Sequence, residues 1–297
     1  MKHPHRSTLL AALVSIPPLL GCHPSQSTPA PSSARASSAP PPIASLAPAT
    51  AVPSASAGDA PAPLASASSS AAPRAEIGPY EIPFLGQRTV FFVLPRSTEG
   101  PQRLIANLHG VCNPPGYACG YWVESAADKG LLVCPTGNAR CGPEASNAPT
   151  WTSTYDKMEA DLERAIETVL EKYPGIASRH GAILTGFSKG AYAAVQIALK
   201  RPNKWPYLIL NEADVALSAK SLREAGVLAV ALIAGERGSQ LAGERRTVQA
   251  LTREGFPARL WVMPGAGHHY SANIDQIMRE AMDFVLAAPA PTAPEHP

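Results

Sequence analysis

The stretch Ala182-Ile183-Leu184-Thr185-Gly186-Phe187-Ser188-Lys189-Gly190-Ala191-Tyr192-Ala193-Ala194 decides how the chain is read. It opens as a short apolar run of strand length, closes as the start of an Ala-rich helix, and carries Gly-x-Ser-x-Gly between them. A strand that becomes a helix over so few residues must bend sharply, and the two glycines let neighbouring backbone pass without a Cβ clash. The bend lifts the Ser188 hydroxyl above the sheet and sets it at a helix N-terminus, where unpaired N–H groups favour developing negative charge. The five-residue string alone is weak evidence. Its strand-turn-helix setting makes it specific.

Outward from this bend, apolar runs bounded by turn residues occur at 89–94, 104–108, 131–134, 182–187, 207–210, 227–234 and 259–263. Helical patterns lie between them at 122–129, 157–172, 190–200, 219–224, 241–254 and 274–286. Alternation of this kind predicts an α/β fold with a mostly parallel sheet and helices on both faces. In such sheets the ligand sits at the carboxyl ends of the strands. Tyr80 to Pro83 reads either as an added edge strand or as the end of the segment before it.

That preceding segment explains the composition. The 297 residues include 32 prolines, well above the usual share of about 5%. From His23 to Ala72 the text is almost wholly Pro, Ala and Ser and cannot fold alone. Before it, Lys2 and Arg6 precede the apolar run from Leu9 to Ile16, too short for a permanent span and typical of an export signal. Leu19-Leu20-Gly21-Cys22 resembles the lipobox of bacterial lipoproteins. The resemblance implies a diacylated Cys22 as the mature N-terminus, and His23 after it implies the outer membrane if the envelope has two. The expected organisation is a lipoprotein signal peptide at 1–21, lipidated Cys22 with a disordered tether through 75, an α/β domain at 76–288 and a disordered tail at 289–297. From Ala75 onward 21 basic residues face 22 acidic ones, which disfavours a nucleic-acid partner. No run of 18 apolar residues follows the N-terminus, which excludes a polytopic membrane protein.

Four further cysteines stand at 112, 119, 134 and 141, in two equal spacings. An even count in an exported chain favours disulfides, and x6 spacing without a paired C-x-x-C speaks against zinc. Three pairings are possible. The two local ones, Cys112 with Cys119 and Cys134 with Cys141, are preferred because each closes a loop after a strand.

Leu108-His109-Gly110, Gly186-Phe187-Ser188-Lys189-Gly190 and Gly265-Ala266-Gly267-His268, in that order, resemble the motifs of the α/β-hydrolase family, especially its secreted esterase and polyester-depolymerase branch. The resemblance covers essentially 89–286. It implies that Ser188 is the nucleophile. It also implies an oxyanion hole of two backbone N–H groups, those of Lys189 and of Val111 or a close neighbour after His109-Gly110, each worth about 3 kcal/mol of barrier. Lys189 would act through its main chain, and no metal or organic cofactor is required. His268 matches the family's proton-transferring position, on a glycine loop able to swing an imidazole over a hydroxyl. His269 is the alternative if the loop winds differently.

The acid departs from the pattern. The family commonly places an Asp three residues after a glycine such as Gly235, and here that place is Gly238. Some members supply the acid one strand earlier, which leaves Glu212, Asp214 and Glu236 as candidates. Glu212 stands nearest the end of the earlier strand and is preferred. Pro114, Pro115, Tyr117, Tyr121, Trp122 and Trp151 either wall an acyl or aryl pocket or, for the two tryptophans, pack in the core.

The leading expectation is a surface-anchored serine hydrolase acting on small-molecule or polymeric esters, held to a membrane by its lipid. Two other readings stand beside it. One is a catalytically silent binding module that keeps the hydrolase scaffold, motivated by Gly238; the other is an envelope scaffold that uses only its tether.

Overall fold

The apolar runs become strands of one sheet because each is long enough to cross it and apolar enough to be covered twice. The computed structural model describes residues 77–142, 148–152 and 154–288. The expected signal peptide, lipidated Cys22, tether and tail lie outside the described residues. In chain order the elements are β1 (Tyr80–Phe84), β2 (Arg88–Val93), β3 (Gln102–Leu108), α1 (Pro115–Gly120), α2 (Val123–Lys129), β4 (Leu131–Pro135), β5 (Ala139–Arg140), β6 (Pro149–Thr150), α3 (Tyr155–Lys172), β7 (Ala177–Phe187), α4 (Lys189–Lys200), β8 (Tyr207–Asn211), α5 (Ala219–Glu224), β9 (Ala229–Gly235), α6 (Leu241–Arg253), β10 (Ala258–Met263) and α7 (Ile274–Leu286).

Eight strands form the main sheet in the order β1-β2-β4-β3-β7-β8-β9-β10, while β5 and β6 pair apart from it. The first two strands run antiparallel to their neighbours, and every pairing from β4 to β10 is parallel. This is the mostly parallel α/β sheet, covered by helices on both faces, that the sequence predicts. Side chains of α3, α4, α5 and α6 join one core cluster, and those of α1, α2 and α7 join the other, so both faces are dry. The middle strands read as unbroken apolar runs for that reason.

Two strands exceed what hydrophobicity predicts. β7 begins at Ala177, five residues before the apolar run, because it passes through Gly181 at φ +66 and a register shift against β3. β1 is one of the two edge strands of this sheet, with Ile82 and Phe84 turned inward and Glu81 outward. An edge tolerates Pro83, which has no N–H to offer a ladder.

The disulfide pairing corrects the local one. Cys119 joins Cys134, and Cys112 joins Cys141, one bridge nested inside the other. The reason is α1. Residues 115–120 wind into a short helix that turns Cys119 inward against β4, where Cys134 is also buried, whereas Cys112 stays on the exposed loop after β3 and meets Cys141 just past β5.

This difference in exposure has a measurable outcome. Mild thiol reductant should open Cys112–Cys141 well before Cys119–Cys134, since only an accessible sulfur can be attacked by a thiolate. Alkylation followed by peptide mass mapping should find Cys112 and Cys141 labelled first; simultaneous labelling of all four would contradict the expectation.

Candidate active site

The bend after β7 is tight. Ser188 sits between the last residue of β7 and the first of α4 at φ +51, ψ −120, a region that costs a residue with a Cβ about 1–3 kcal/mol. Its N–H donates to the Asn211 carbonyl at the end of β8, at 2.8 Å. Both glycines are required by backbone approach rather than by their own torsions. A Cβ on Gly190 would lie 1.9 Å from the Leu108 carbonyl oxygen, and one on Gly186 would lie 2.3 Å from the Gly190 carbonyl carbon. The helix therefore starts in contact with β3, and the serine is held at its apex.

The loop after β10 brings His268 to that apex. Gly265 turns at φ +65, its N–H donating to Glu236 Oε2 at 2.7 Å, and Arg237 N donates to the Ala266 carbonyl at 2.8 Å. His268 Nε2 lies 2.9 Å from Ser188 Oγ, and Nδ1 lies 3.0 Å from Glu212 Oε2. With the Nδ1–H donated to the carboxylate, the Nε2 lone pair faces the hydroxyl. The Phe187 ring packs 5.1 Å from the imidazole and 5.0 Å from Tyr270, walling one side. His269 is engaged elsewhere: Nε2 accepts from Gly267 N and Nδ1 donates to the Tyr270 carbonyl.

Of the three carboxylates considered, the structure brings Glu212 to the imidazole. Glu212 is fully buried and turns at φ +56, its N–H donating to the Ile233 carbonyl at 2.8 Å and its Oε1 accepting from Gly235 N. Asp214 instead accepts from the Tyr192 hydroxyl, and Glu236 serves the Gly265 turn. The unusual Gly238 now has a physical reason. A Cβ there would lie 3.0 Å from Glu212 Oε2, so the carboxylate from β8 occupies the space a side chain at 238 would need.

The chain after β3 passes close to Ser188. A Cβ on Gly110 would lie 3.0 Å from the Phe187 ring and 3.2 Å from Ser188 Cβ, so a larger residue at 110 would crowd the turn that carries the serine. Val111 itself is exposed. Lys189 opens α4, and its N–H is one of those a helix leaves without an internal acceptor, while its ammonium donates to the Trp151 carbonyl. Trp122 and Trp151 are core residues rather than pocket walls, and Trp151 stacks on His109 at 5.0 Å and donates through Nε1 to its carbonyl. Pro114 is exposed and Tyr121, half-buried, faces Tyr270 at 5.6 Å. Pro115 is buried at the start of α1.

His109 is a residue whose role the motif did not disclose. Its ring is fully buried: Nδ1 donates to the Gly110 carbonyl at 2.7 Å, and Nε2 accepts from Gly137 N at 2.8 Å. The imidazole thus sets the plane of the Gly110-Val111 peptide beside Ser188, which requires it neutral. Burial above all, with Arg88 adding to it and the Gly110 bond opposing, pushes its pKa down to about 4.

No family model matches the chain and no curated protein matches it in sequence. Among solved structures, the chain is similar to FphF of Staphylococcus aureus, a fluorophosphonate-binding serine hydrolase, at 15% identity and a TM-score of 0.50 over 70% of this chain and 96% of that one. It is also similar to the protein FAE, at 14% identity and a TM-score of 0.52 over 73% of this chain and 89% of that one. At these identities the likeness speaks for the fold.

The folded His109 pKa of about 4 lies below the ordinary 6.5, so the unfolded chain takes up the proton first as pH falls. The stability contributed by neutral His109 is complete above pH 6.5 and is lost as pH falls toward 4. In urea titrations the wild type should lose about 3 kcal/mol more than His109→Gln over that window. Equal losses in the two proteins would contradict the buried neutral ring.

Proposed function

We propose that this protein is a serine hydrolase acting on carboxylic esters, and that Ser188, His268 and Glu212 carry the reaction. The observation behind it is the continuous chain of hydrogen bonds from the Ser188 hydroxyl through the His268 ring to the buried Glu212 carboxylate, at 2.9 and 3.0 Å. The name of FphF, a fluorophosphonate-binding serine hydrolase sharing the fold, agrees with this reading.

In the proposed reaction Ser188 Oγ attacks the ester carbonyl carbon while its proton passes to His268 Nε2. Glu212 holds the Nδ1 proton and stabilises the imidazolium that forms. The carbonyl oxygen, now an oxyanion, takes hydrogen bonds from the N–H groups of Val111 and Lys189. Collapse expels the alcohol, which leaves with the proton from Nε2. Water then attacks the acyl-serine by the same route, its proton going to Nε2 and returning to Ser188 Oγ as the acid departs. The reading as a silent binding module rested on Gly238, and a Glu212 carboxylate within hydrogen-bond reach of His268 removes that motive.

We further propose that Cys22 is acylated and that the Pro/Ala/Ser stretch tethers the domain to the cell envelope. The Leu19-Leu20-Gly21-Cys22 sequence after a short apolar run supports this. Acyl chains add about 0.8 kcal/mol of membrane attachment per buried CH₂.

Ser188→Ala should lower hydrolysis of p-nitrophenyl acyl esters by at least about a thousandfold and abolish labelling by a fluorophosphonate probe. Glu212→Gln should lower kcat by about 10³- to 10⁴-fold. Gly238→Asp, which puts an acid at the family's common position, should lower activity because it displaces Glu212. Unchanged turnover in Ser188→Ala would end this reading. For the anchor, Cys22→Ser should move the expressed protein from the detergent phase to the aqueous phase in a Triton X-114 partition; equal partitioning would end that proposal.

A further inference from the structure

Glu244 lies on α6 without solvent exposure, and the proposed chemistry gives it no task. In the sequence, followed by Arg245 and Arg246, it looks like one more charge on a helix surface. In the fold its side of α6 is pressed onto the loop after β8. A Cβ on Gly243 would lie 2.3 Å from Asp214 Cβ, and Thr247 Oγ1 donates to the Val215 carbonyl at 2.9 Å. Within this contact Glu244 Oε1 accepts the Ala213 N–H at 2.8 Å, while its buried Oε2 has no hydrogen-bond partner among the described residues.

That bond matters because of the residue before Ala213. Glu212 turns at φ +56, a conformation a residue with a Cβ abandons unless its flanking peptides are held. The peptide on its N-terminal side is held by the bond from Glu212 N to the Ile233 carbonyl. The peptide on its C-terminal side is the one whose N–H belongs to Ala213, and Glu244 holds it. Resting on the reading of Ser188, His268 and Glu212 as a hydrolytic triad, we infer that Glu244 is a positioning residue: through the Ala213 N–H its carboxyl keeps Glu212 in the left-handed turn and aims Oε2 at His268 Nδ1.

The state of the carboxyl suits this task. Burial, with the nearby Glu212 and Asp214 behind it and the Ala213 N–H opposing, pushes Glu244 up to about 8. The titratable groups facing it are Glu212 at the end of β8, Asp214 in the following loop and Tyr192 on α4, whose hydroxyl is itself pushed up to about 12 by burial and by Asp214. At neutral pH Glu244 therefore keeps its proton and accepts the Ala213 N–H without adding a negative charge beside Glu212. Its folded pKa lies above the ordinary 4.5, so its stabilising contribution is complete below that pH and is lost as pH rises through 8.

The test compares wild type, Glu244→Ala and Glu244→Gln in ester turnover, thermal unfolding and amide exchange, with Ser188→Ala as the check on the underlying triad. Glu244→Ala should lower kcat at pH 7 by about ten- to a hundredfold with KM little changed, as expected when a reacting group is misaimed. Glu244→Gln, neutral and of the same shape, should recover most of that loss. Its Tm should also fall less than that of the wild type between pH 7 and 9. Amide exchange at Ala213 should accelerate in the Ala variant and stay slow in the Gln variant, a readout that needs no turnover. A folded Glu244→Ala protein with kcat within about twofold of wild type and Ala213 still protected would overturn the inference. Should Glu244→Ala fail to fold, the Gln variant decides: a loss of about tenfold or more at pH 7, or a Tm that follows the wild type through pH 9, overturns it. Should the wild type show no Ser188-dependent turnover, the triad reading falls, and Ala213 exchange alone tells whether Glu244 pins the turn.

Discussion

The parallel sheet does not stop where its strands stop. The residue after β7, Ser188, donates its N–H to the carbonyl closing β8; the residue after β8, Glu212, donates to a carbonyl of β9; the residue after β9, Glu236, donates to the carbonyl closing β10. One further rung of the ladder thus ties each turn to the next strand. Two of these turn residues, Ser188 and Glu212, are held in left-handed backbone, where an isolated chain would not keep them. The positions of hydroxyl, carboxylate and the loop bearing the imidazole are consequences of sheet register, and any change that slips β7, β8, β9 and β10 against one another disturbs all of them together.

An acid after β8 in place of one after β9 is a small change. Adjacent parallel strands lie about 4.8 Å apart, and Glu has one more methylene than Asp, so a longer side chain set one strand farther from β10 reaches the same ring nitrogen. The substitution has its own requirement. The space that a side chain after β9 would use must stay empty, and Gly238 keeps it so.

Much of this was legible in the sequence because it is carried by local patterns. The alternation of apolar runs and helical stretches marks the elements between β2 and α7, and Gly-x-Ser-x-Gly is informative since its glycines answer to a backbone contact that nothing larger permits. Hydrophobicity missed α1, whose six residues include two glycines and a proline, the two-residue strands β5 and β6, and the first half of β7, whose Ser178 and His180 carry no apolar signal. The choice among Glu212, Asp214 and Glu236 was open because all three follow strands that end on the same side. What separates them is which donor each meets, an imidazole, a phenol or a backbone N–H, and that is a property of the folded chain. His109 stood inside a motif, but its buried ring bridging two loops has no counterpart in spacing. Glu244 left no signal, being an acid followed by arginines on an amphipathic helix.

The nested cysteine bridges carry a consequence for how the chain matures. Cys119 and Cys134 are 15 residues apart and Cys112 and Cys141 are 29 apart, whereas the rejected neighbours at each end are only seven apart. In a random coil the short circuits close most readily, each doubling of span disfavouring closure by about 0.6 kcal/mol. Oxidation that outruns folding therefore favours the wrong partners, and the observed ones are reached when residues 115–120 wind onto β4 first or when thiol–disulfide exchange corrects the short bridges. Once the inner bridge exists it shortcuts the outer circuit, so the surface bridge becomes the easier of the two to mend.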